Sequence, residues 1–527
     1  MPVATSRRAR AGRRSDPPTA GRAAAVWRAA CAQYCVDPHD VRLAACAPDL
    51  HGVGEDEHVP DVAGAAAGLG EDHLASQDPA LRSREGRFYT PPLLSRCLAE
   101  QVWPYAQGEG IVVDPACGSG ALLVALVEHA LTELSPVDAV RFVVDRVRGT
   151  DLDEGAVPLC NLAIALAVLP AWAALDDDTR PTLPVFAELA DGLTDRRVAC
   201  AVLANPPFGR VTLSAAEREP WSDVLYGHAH RPTLFLAAAV RRLSPGGAAA
   251  FVLPASLVGG AYYQKLRAFL LDEAPPAWLA FVADREGVFR GGVLQESLLG
   301  VFARHSGSEL APAVERIAIN GAVHRATLSR ARIAARGRAP WLLPRETDDG
   351  PRLVAAEAMT HRLADYGWRV STGPLVWNRH RHQLHTERRA RRLPVIWAGD
   401  IEQGAVRLSP RRTLRWCAVE RGQEWLVLDR PALLLQRTTA PEQPRRLVGA
   451  LLDAAALRRL GGRVVIENHL NVCTCEGDSE LTPDRLYAFL SSDLADRLYR
   501  CLTGSVAVSA YELGSLPLPR PGGWDGS

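Results

Sequence analysis

The chain has 527 residues, 47% apolar and 23% charged, with 60 basic against 60 acidic side chains. Length and balance predict a globular protein of about three domains and exclude wholesale disorder or a fibrous repeat. No run of 18 apolar residues is read, and residues 1–14 carry arginines with no apolar stretch behind them; the expectation is a cytoplasmic protein without a membrane span or secretory leader.

In chain order, residues 1–21 are rich in Arg, Pro, Ala and Ser without apolar period and predict a disordered arm. Spaced apolar residues (Val26, Trp27, Cys31, Tyr34) predict a helix over 23–45, and the acidic, glycine-rich stretch 52–72 predicts a linker. Together these make residues 1–80 an N-terminal arm with a helical extension, partly disordered. From 86 to 304 short apolar runs alternate with helical stretches. Parallel strands are predicted over 111–113, 148–152, 198–204 and 248–253, with helices over 121–134, 157–168, 233–243 and 263–271. That alternation is the pattern of a doubly wound α/β domain, and Gly246-Gly247 fits the turn between a helix and the next strand. From about 343 the pattern becomes irregular and arginine-rich, interspersed with Trp377, Trp397, Trp416 and Trp425, so a second domain begins there.

Eleven scattered cysteines fit a reducing compartment rather than a disulfide framework, and neither close pair, Cys31 with Cys35 or Cys473 with Cys475, has a zinc-spaced partner. No metal site is expected. Lys265 is the only lysine, so arginine abundance alone proves little. Its distribution says more. Residues 378–446 hold fifteen arginines against seven acidic residues, with His380, His382 and His385 among them. This is a candidate phosphate-binding surface, and a solvated arginine-rich face is the competing reading.

Chemistry concentrates at three strand ends. The strand 111–113 ends in Asp114-Pro115-Ala116-Cys117-Gly118-Ser119-Gly120 and runs into an apolar helix. Glycines there let backbone approach a ligand in the crevice beyond the strand, so Gly118 and Gly120 would floor a nucleoside site and Asp114 would accept from an ammonium group. A tight strand-to-helix turn is the plain alternative. The next strand ends in Gly149-Thr150-Asp151-Leu152-Asp153, where Asp151 can bind ribose hydroxyls; a helix N-cap is the other role open to these acids. The third strand stops at Asn205-Pro206-Pro207-Phe208. Two prolines remove two N–H donors and leave carbonyl acceptors beside an Asn side chain and an aromatic ring, a site for an amino group. Asn205 and Pro206 could accept both N–H bonds of an exocyclic amine while Phe208 stacks on its ring.

The order Gly86-Arg87-Phe88-Tyr89-Thr90-Pro91-Pro92, 114–120, 149–153 and 204–209 resembles the gamma class of DNA N6-adenine methyltransferases of restriction–modification systems. The resemblance covers 86–521, including Ala510-Tyr511-Glu512-Leu513-Gly514 near the end. It implies a Rossmann-like doubly wound methyltransferase domain over 81–335 and a mixed α+β DNA target-recognition domain over 343–521. It implies S-adenosylmethionine as cofactor, held by Thr90, Asp114, Ala116, Gly118, Gly120 and Asp151. Asp191 resembles the residue receiving the cofactor's adenine amine and Phe235 the aromatic packed over it; a loop acid and a core aromatic are the alternatives. Phe302 is a candidate second face of the target-base pocket, or a core residue. Double-stranded DNA would be the substrate, contacted by Arg379, Arg381, Arg388, Arg389, Arg411 and Arg412, while Asn468 and Asn471 read as turn or ladder residues. A restriction endonuclease would be a separate chain, since Lys265 lacks the acidic partners of a metal nuclease. Three further readings are another phage-defence methylase, an RNA or protein amide methyltransferase, and a noncatalytic specificity subunit.

Overall fold

The computed structural model describes residues 18–50, 59–78, 90–282, 296–304, 311–319, 323–330, 333, 338–402, 404–410, 412–439, 443–477, 479–503 and 507–524. The chain forms two compact units, 1–207 with 242–247, and 208–241 with 248–527.

In the first unit the N-terminal helices are α1 (Pro18–Gln33) and α2 (Val62–Ser76). The predicted first helix thus ends twelve residues early, where the chain turns through Cys35 at φ 54. Part of the predicted linker is α2 instead. Asp61 starts it by accepting the Gly64 N–H at 2.9 Å, and an alanine-rich body sustains it despite the glycines. Next come α3 (Pro92–Ala106), β1 (Ile111–Asp114), α4 (Ala121–Glu133), α5 (Pro136–Arg146) and β2 (Val147–Asp151). Ser135 caps α5 and Pro136 opens it. The unit continues through α6 (Ala156–Ala173), β3 (Ala187–Leu189) and β4 (Ala199–Ala204). The strands lie in the order β4-β1-β2-β3 and every pair is parallel. In register, Asp114 lies opposite Gly149, so β1 and β2 end side by side. By length and apolarity α6 could cross a membrane, but Leu159, Leu162, Ile164, Leu169 and Trp172 are buried inside this unit, as in a core helix.

The second unit begins with a short ribbon, β5 (Arg210–Val211) against β6 (Ala229–His230), after which α7 (Arg231–Arg242) leads into β7 (Leu243–Pro254), which belongs to this unit from Ala248 onward. α8 (Gln264–Glu273) precedes β8 (Pro276–Val282), β9 (Ser297–Ala303), β10 (Ala313–Ile319) and β11 (Val323–Arg330). Their order is β7-β9-β8-β10-β11. β9, which is not among the four predicted strands, runs antiparallel to both β7 and β8. A strand buried on both faces is equally apolar in either direction, so composition does not carry its sense. Gly246 takes φ +76 inside β7.

Beyond residue 343 two small sheets, a two-stranded ribbon of 401–402 against 405–406 and several helices form the expected mixed α+β region. One sheet has the order β12-β20-β17-β18, where β12 is Trp368–Thr372, β20 Leu470–Cys475, β17 Ala432–Gln436 and β18 Gly449–Leu452. The other runs β13-β15-β14-β19-β16, through Leu384–His385, Trp416–Ala418, Arg392–Ile396, Val464–Ile466 and Val427–Leu428. Three helices follow: α9 (Pro483–Leu490), α10 (Asp493–Leu502) and α11 (Ala510–Gly514). A buried ion pair organises the second sheet. Asp400 is fully buried and accepts from Arg415 Nη1 at 2.6 Å, the Trp397 N–H at 2.9 Å and the Ser409 N–H at 2.8 Å. Arg267 of α8, also fully buried, donates to the carbonyls of Leu257, Gly260, Arg338 and Ala339 and to Tyr511 Oη of α11.

Removing one partner of a buried pair leaves the other charge uncompensated. Asp400→Ala is therefore expected to cost about 3–5 kcal/mol in chemical denaturation, whereas exposed Arg381→Ala should stay within about 0.5 kcal/mol.

Candidate active site

The ends of β1 and β2 bring two carboxylates together. Asp114 is 1% exposed and accepts the Ala116 N–H at 2.9 Å. Burial pushes its carboxyl up to about 8; the Ala116 N–H opposes the rise and the charge of Asp151 adds to it. Asp151 accepts the Gly118 N–H on Oδ2 at 2.7 Å and the Asp153 N–H on Oδ1 at 2.9 Å, which ties the second strand end to the glycine loop. The helix-cap role falls to Asp153, whose Oδ1 accepts from Gly155 and Ala156 at the start of α6. Gly118 and Gly120 both take positive φ, +50 and +94.

Asp191 is exposed in the turn after β3, where its Oδ1 accepts the Leu193 N–H at 3.0 Å. That turn reaches the glycine loop by a close approach with no sequence signal beyond the glycine itself. A Cβ on Gly192 would sit 1.9 Å from the Pro115 carbonyl oxygen, so only glycine lets the two loops touch. The Ala190 N–H also donates to the Asp151 carbonyl at 3.0 Å. Asp114, Ala116, Gly118, Asp151 and Asp191 therefore belong to loops bonded to, or packed on, one another.

β4 delivers Asn205, which is half-buried, and its Nδ2 donates to Thr90 Oγ1 at 2.9 Å. Thr90 is itself buried. This bond across 115 residues fixes which way the amide points, turning its oxygen away from Thr90. Pro206 is buried, while Pro207 and Phe208 are half-buried. Just after them Gly209 turns at φ +106, and its carbonyl accepts the Arg231 N–H at 3.1 Å. Phe88 and Tyr89 lie outside the described residues. Phe235 is 9% exposed on α7. Phe302 is fully buried in β9, with its ring against Gly300, and serves the core.

Arg379, Arg381, Arg388, Arg389 and Arg412 are all exposed, and Arg411 lies outside the described residues. The Arg388 and Arg412 guanidinium groups lie over the Trp416 and Trp397 rings, at 5.6 and 4.4 Å from the centroids. Arg389 pairs with exposed Glu387 at 3.3 Å. By contrast Arg415 and Arg446, counted in the same basic stretch, are buried and structural. Asn471 is also structural, donating from within β20 to the Val508 carbonyl at 2.8 Å, and the Asn468 carbonyl accepts from Arg437.

Residues 71–299 match the N-6 DNA Methylase family model. Type II methyltransferase M.PstI of Providencia stuartii is 23% identical over 467 residues, spanning 84% of this chain and 88% of the relative. Type II methyltransferase M.BsuBI of Bacillus subtilis is 21% identical over 467 residues, spanning 84% and 89%. Among solved structures, the Type IIL restriction-modification enzyme MmeI in complex with DNA aligns at TM-score 0.48 and 14% identity, over 80% of this chain and 63% of that one.

The raised carboxyl of Asp114 gives a direct titration test. Its folded pKa lies above the unfolded one, so the proton favours folding at low pH and that advantage is lost as pH rises toward about 8. A carboxyl NMR titration is expected to give a midpoint near 8, absent in Asp114→Asn, and the variant should gain stability over the parent above that pH. A midpoint near the ordinary value of about 4 would overturn the assignment.

Proposed function

We propose that this chain, a DNA N6-adenine methyltransferase of the restriction–modification kind whose residues 71–299 match the N-6 DNA methylase family, methylates one short DNA sequence on a flipped-out adenine. The observation that carries the reading is Asn205, set at the end of β4 before two prolines with its amide held by Thr90. S-adenosylmethionine supplies the electrophilic methyl group when bound. The donor set fits that ligand: Asp114 meets an ammonium group, Asp151 the ribose hydroxyls and Asp191 an adenine amine, on loops floored by Ala116, Gly118 and Gly120. Phe235 is assigned to that adenine's face. A buried Asp114 gains its charge when a cation arrives, which makes it selective for one.

Catalysis needs the target amine outside the base stack, at a cost of a few kcal/mol. Asn205 Oδ1 and the Pro206 carbonyl accept the amine's two N–H bonds, drawing the nitrogen lone pair out of conjugation toward the methyl group. Pro207 shapes the loop by fixing φ, and Phe208 stacks on the ring. The nitrogen gives up its proton to water only after it has taken the methyl group, so no side chain need act as a base before attack. Thr90 orients the Asn205 amide for this work. The region 81–335 is assigned to catalysis and 343–521 to target recognition. In the latter Arg379, Arg381, Arg388, Arg389, Arg411 and Arg412 bind phosphates, with arginine also suited to guanine edges. The enzyme would act in the cytoplasm, protecting DNA from a separate restriction endonuclease.

Single-molecule sequencing of DNA from a methylation-free host expressing the chain tests this. N6-methyladenine confined to one motif is expected, and unmodified DNA from a folded, cofactor-binding protein would overturn it. Asn205→Ala should lower turnover by at least about 100-fold while leaving S-adenosylhomocysteine affinity unchanged in calorimetry. Replacing Arg379, Arg381, Arg388 and Arg389 should flatten the logarithmic dependence of DNA affinity on salt by about 0.9 for each phosphate no longer neutralised; an unchanged slope returns these side chains to a solvated face.

A further inference from the structure

We propose that His73 and Gln77, on the N-terminal helix α2 and just beyond its end, are positioning residues for the cofactor's ribose, acting through Asp153 on Asp151. The inference rests on the reading of Asp151 as the ribose ligand. Both side chains lie before the catalytic region, yet they converge on the loop that follows β2. Gln77 Nε2 donates to Asp153 Oδ2 at 2.7 Å. His73 Nε2 lies 3.3 Å from each Asp153 oxygen and 3.1 Å from Gln77 Nε2. The imidazole also rests on the backbone of the loop, because a Cβ on Gly155 would lie 2.4 Å from His73 Cε1. This close approach needs glycine.

Asp153 is the hinge of the arrangement. Its carboxylate is held by Gln77, just past the end of α2, on one side and accepts the Gly155 and Ala156 N–H groups at the start of α6 on the other. Its own N–H donates to Asp151 Oδ1 at 2.9 Å, while Asp151 Oδ2 takes the Gly118 N–H. A continuous path of bonds therefore runs from α2 through Asp153 and Asp151 to the glycine loop. His73 and Gln77 hold the Asp153 carboxyl well below its usual range, so it stays a charged anchor. Two acids two residues apart repel each other. Gln77 and His73 hold the Asp153 carboxylate on the side of α2, leaving Asp151 aligned for two hydroxyls. The side chains of His73 and Asp153 are 19% and 15% exposed, so water screens the interaction only in part.

Calorimetric titration of the full chain with S-adenosylhomocysteine tests the proposal. The double variant His73→Ala, Gln77→Leu is expected to bind about tenfold more weakly, equivalent to about 1.4 kcal/mol. Its kcat at saturating S-adenosylmethionine should stay within about twofold. His73→Gln, which can still present a donor to Asp153, should retain parental affinity. Parental affinity in the folded double variant overturns the proposal; so does an equal loss of kcat and affinity, which marks a general structural prop. Asp151→Ala serves as the control. If it leaves affinity unchanged, the ribose reading fails, whatever the α2 variants do.

Discussion

Asp114 must stay next to Asp151 although burial opposes its charge, and much of the first unit can be understood as the means of holding that pair. Parallel pairing of β1 with β2 sets Asp114 opposite Gly149, two residues before Asp151. Backbone N–H groups then occupy the carboxylates: Ala116 on Asp114, and Gly118 with Asp153 on Asp151. Such bonds offset part of the desolvation cost and orient what remains. The packing of Gly192 on Pro115 brings in a third loop. Most of the bonding is thus done by backbone, and the free chemistry of a few acids is left for a ligand.

What the sequence discloses follows the physics of each signal. β1, β2 and β4 end abruptly in polar or proline-bearing motifs, so an apolar run and its terminus are visible together, and Asp114, Asp151 and Asn205 fall where the pattern puts them. Bonds between distant segments leave no such trace. Nothing in Thr90 announces a bond to Asn205, and Gly192 looks like any turn glycine. Helix α2 is hidden for another reason: Ala, Gly and acidic residues mimic a linker, and its fold depends on the Asp61 cap and on packing. The direction of β9 escapes because a strand buried on both faces carries the same residues whether it runs parallel or antiparallel.

Arginine shows the same limit. The stretch from 378 to 446 mixes exposed side chains such as Arg381 and Arg388 with Arg415 and Arg446, which lie inside the fold. Counting charge gives both classes equal weight, although Asp400 cancels Arg415 as far as any anion outside is concerned. The electrostatic surface available to DNA is smaller than composition suggests. Stacking of Arg388 and Arg412 on tryptophan further restricts the directions in which those cations can reach.

Arg267 carries a lesson for anyone wishing to redirect such an enzyme. Its guanidinium joins α8 to the segment at 338–339 and to Tyr511 of α11, and Tyr511 in turn donates to the Arg338 carbonyl at 2.7 Å. A transplant of specificity cut near residue 340 would divide this knot between donor and host. If 343–521 reads the target as proposed, the portable module is better thought of as a cassette flanked on both sides by host sequence and ending before α11, which is tied to α8 through Arg267 and Tyr511.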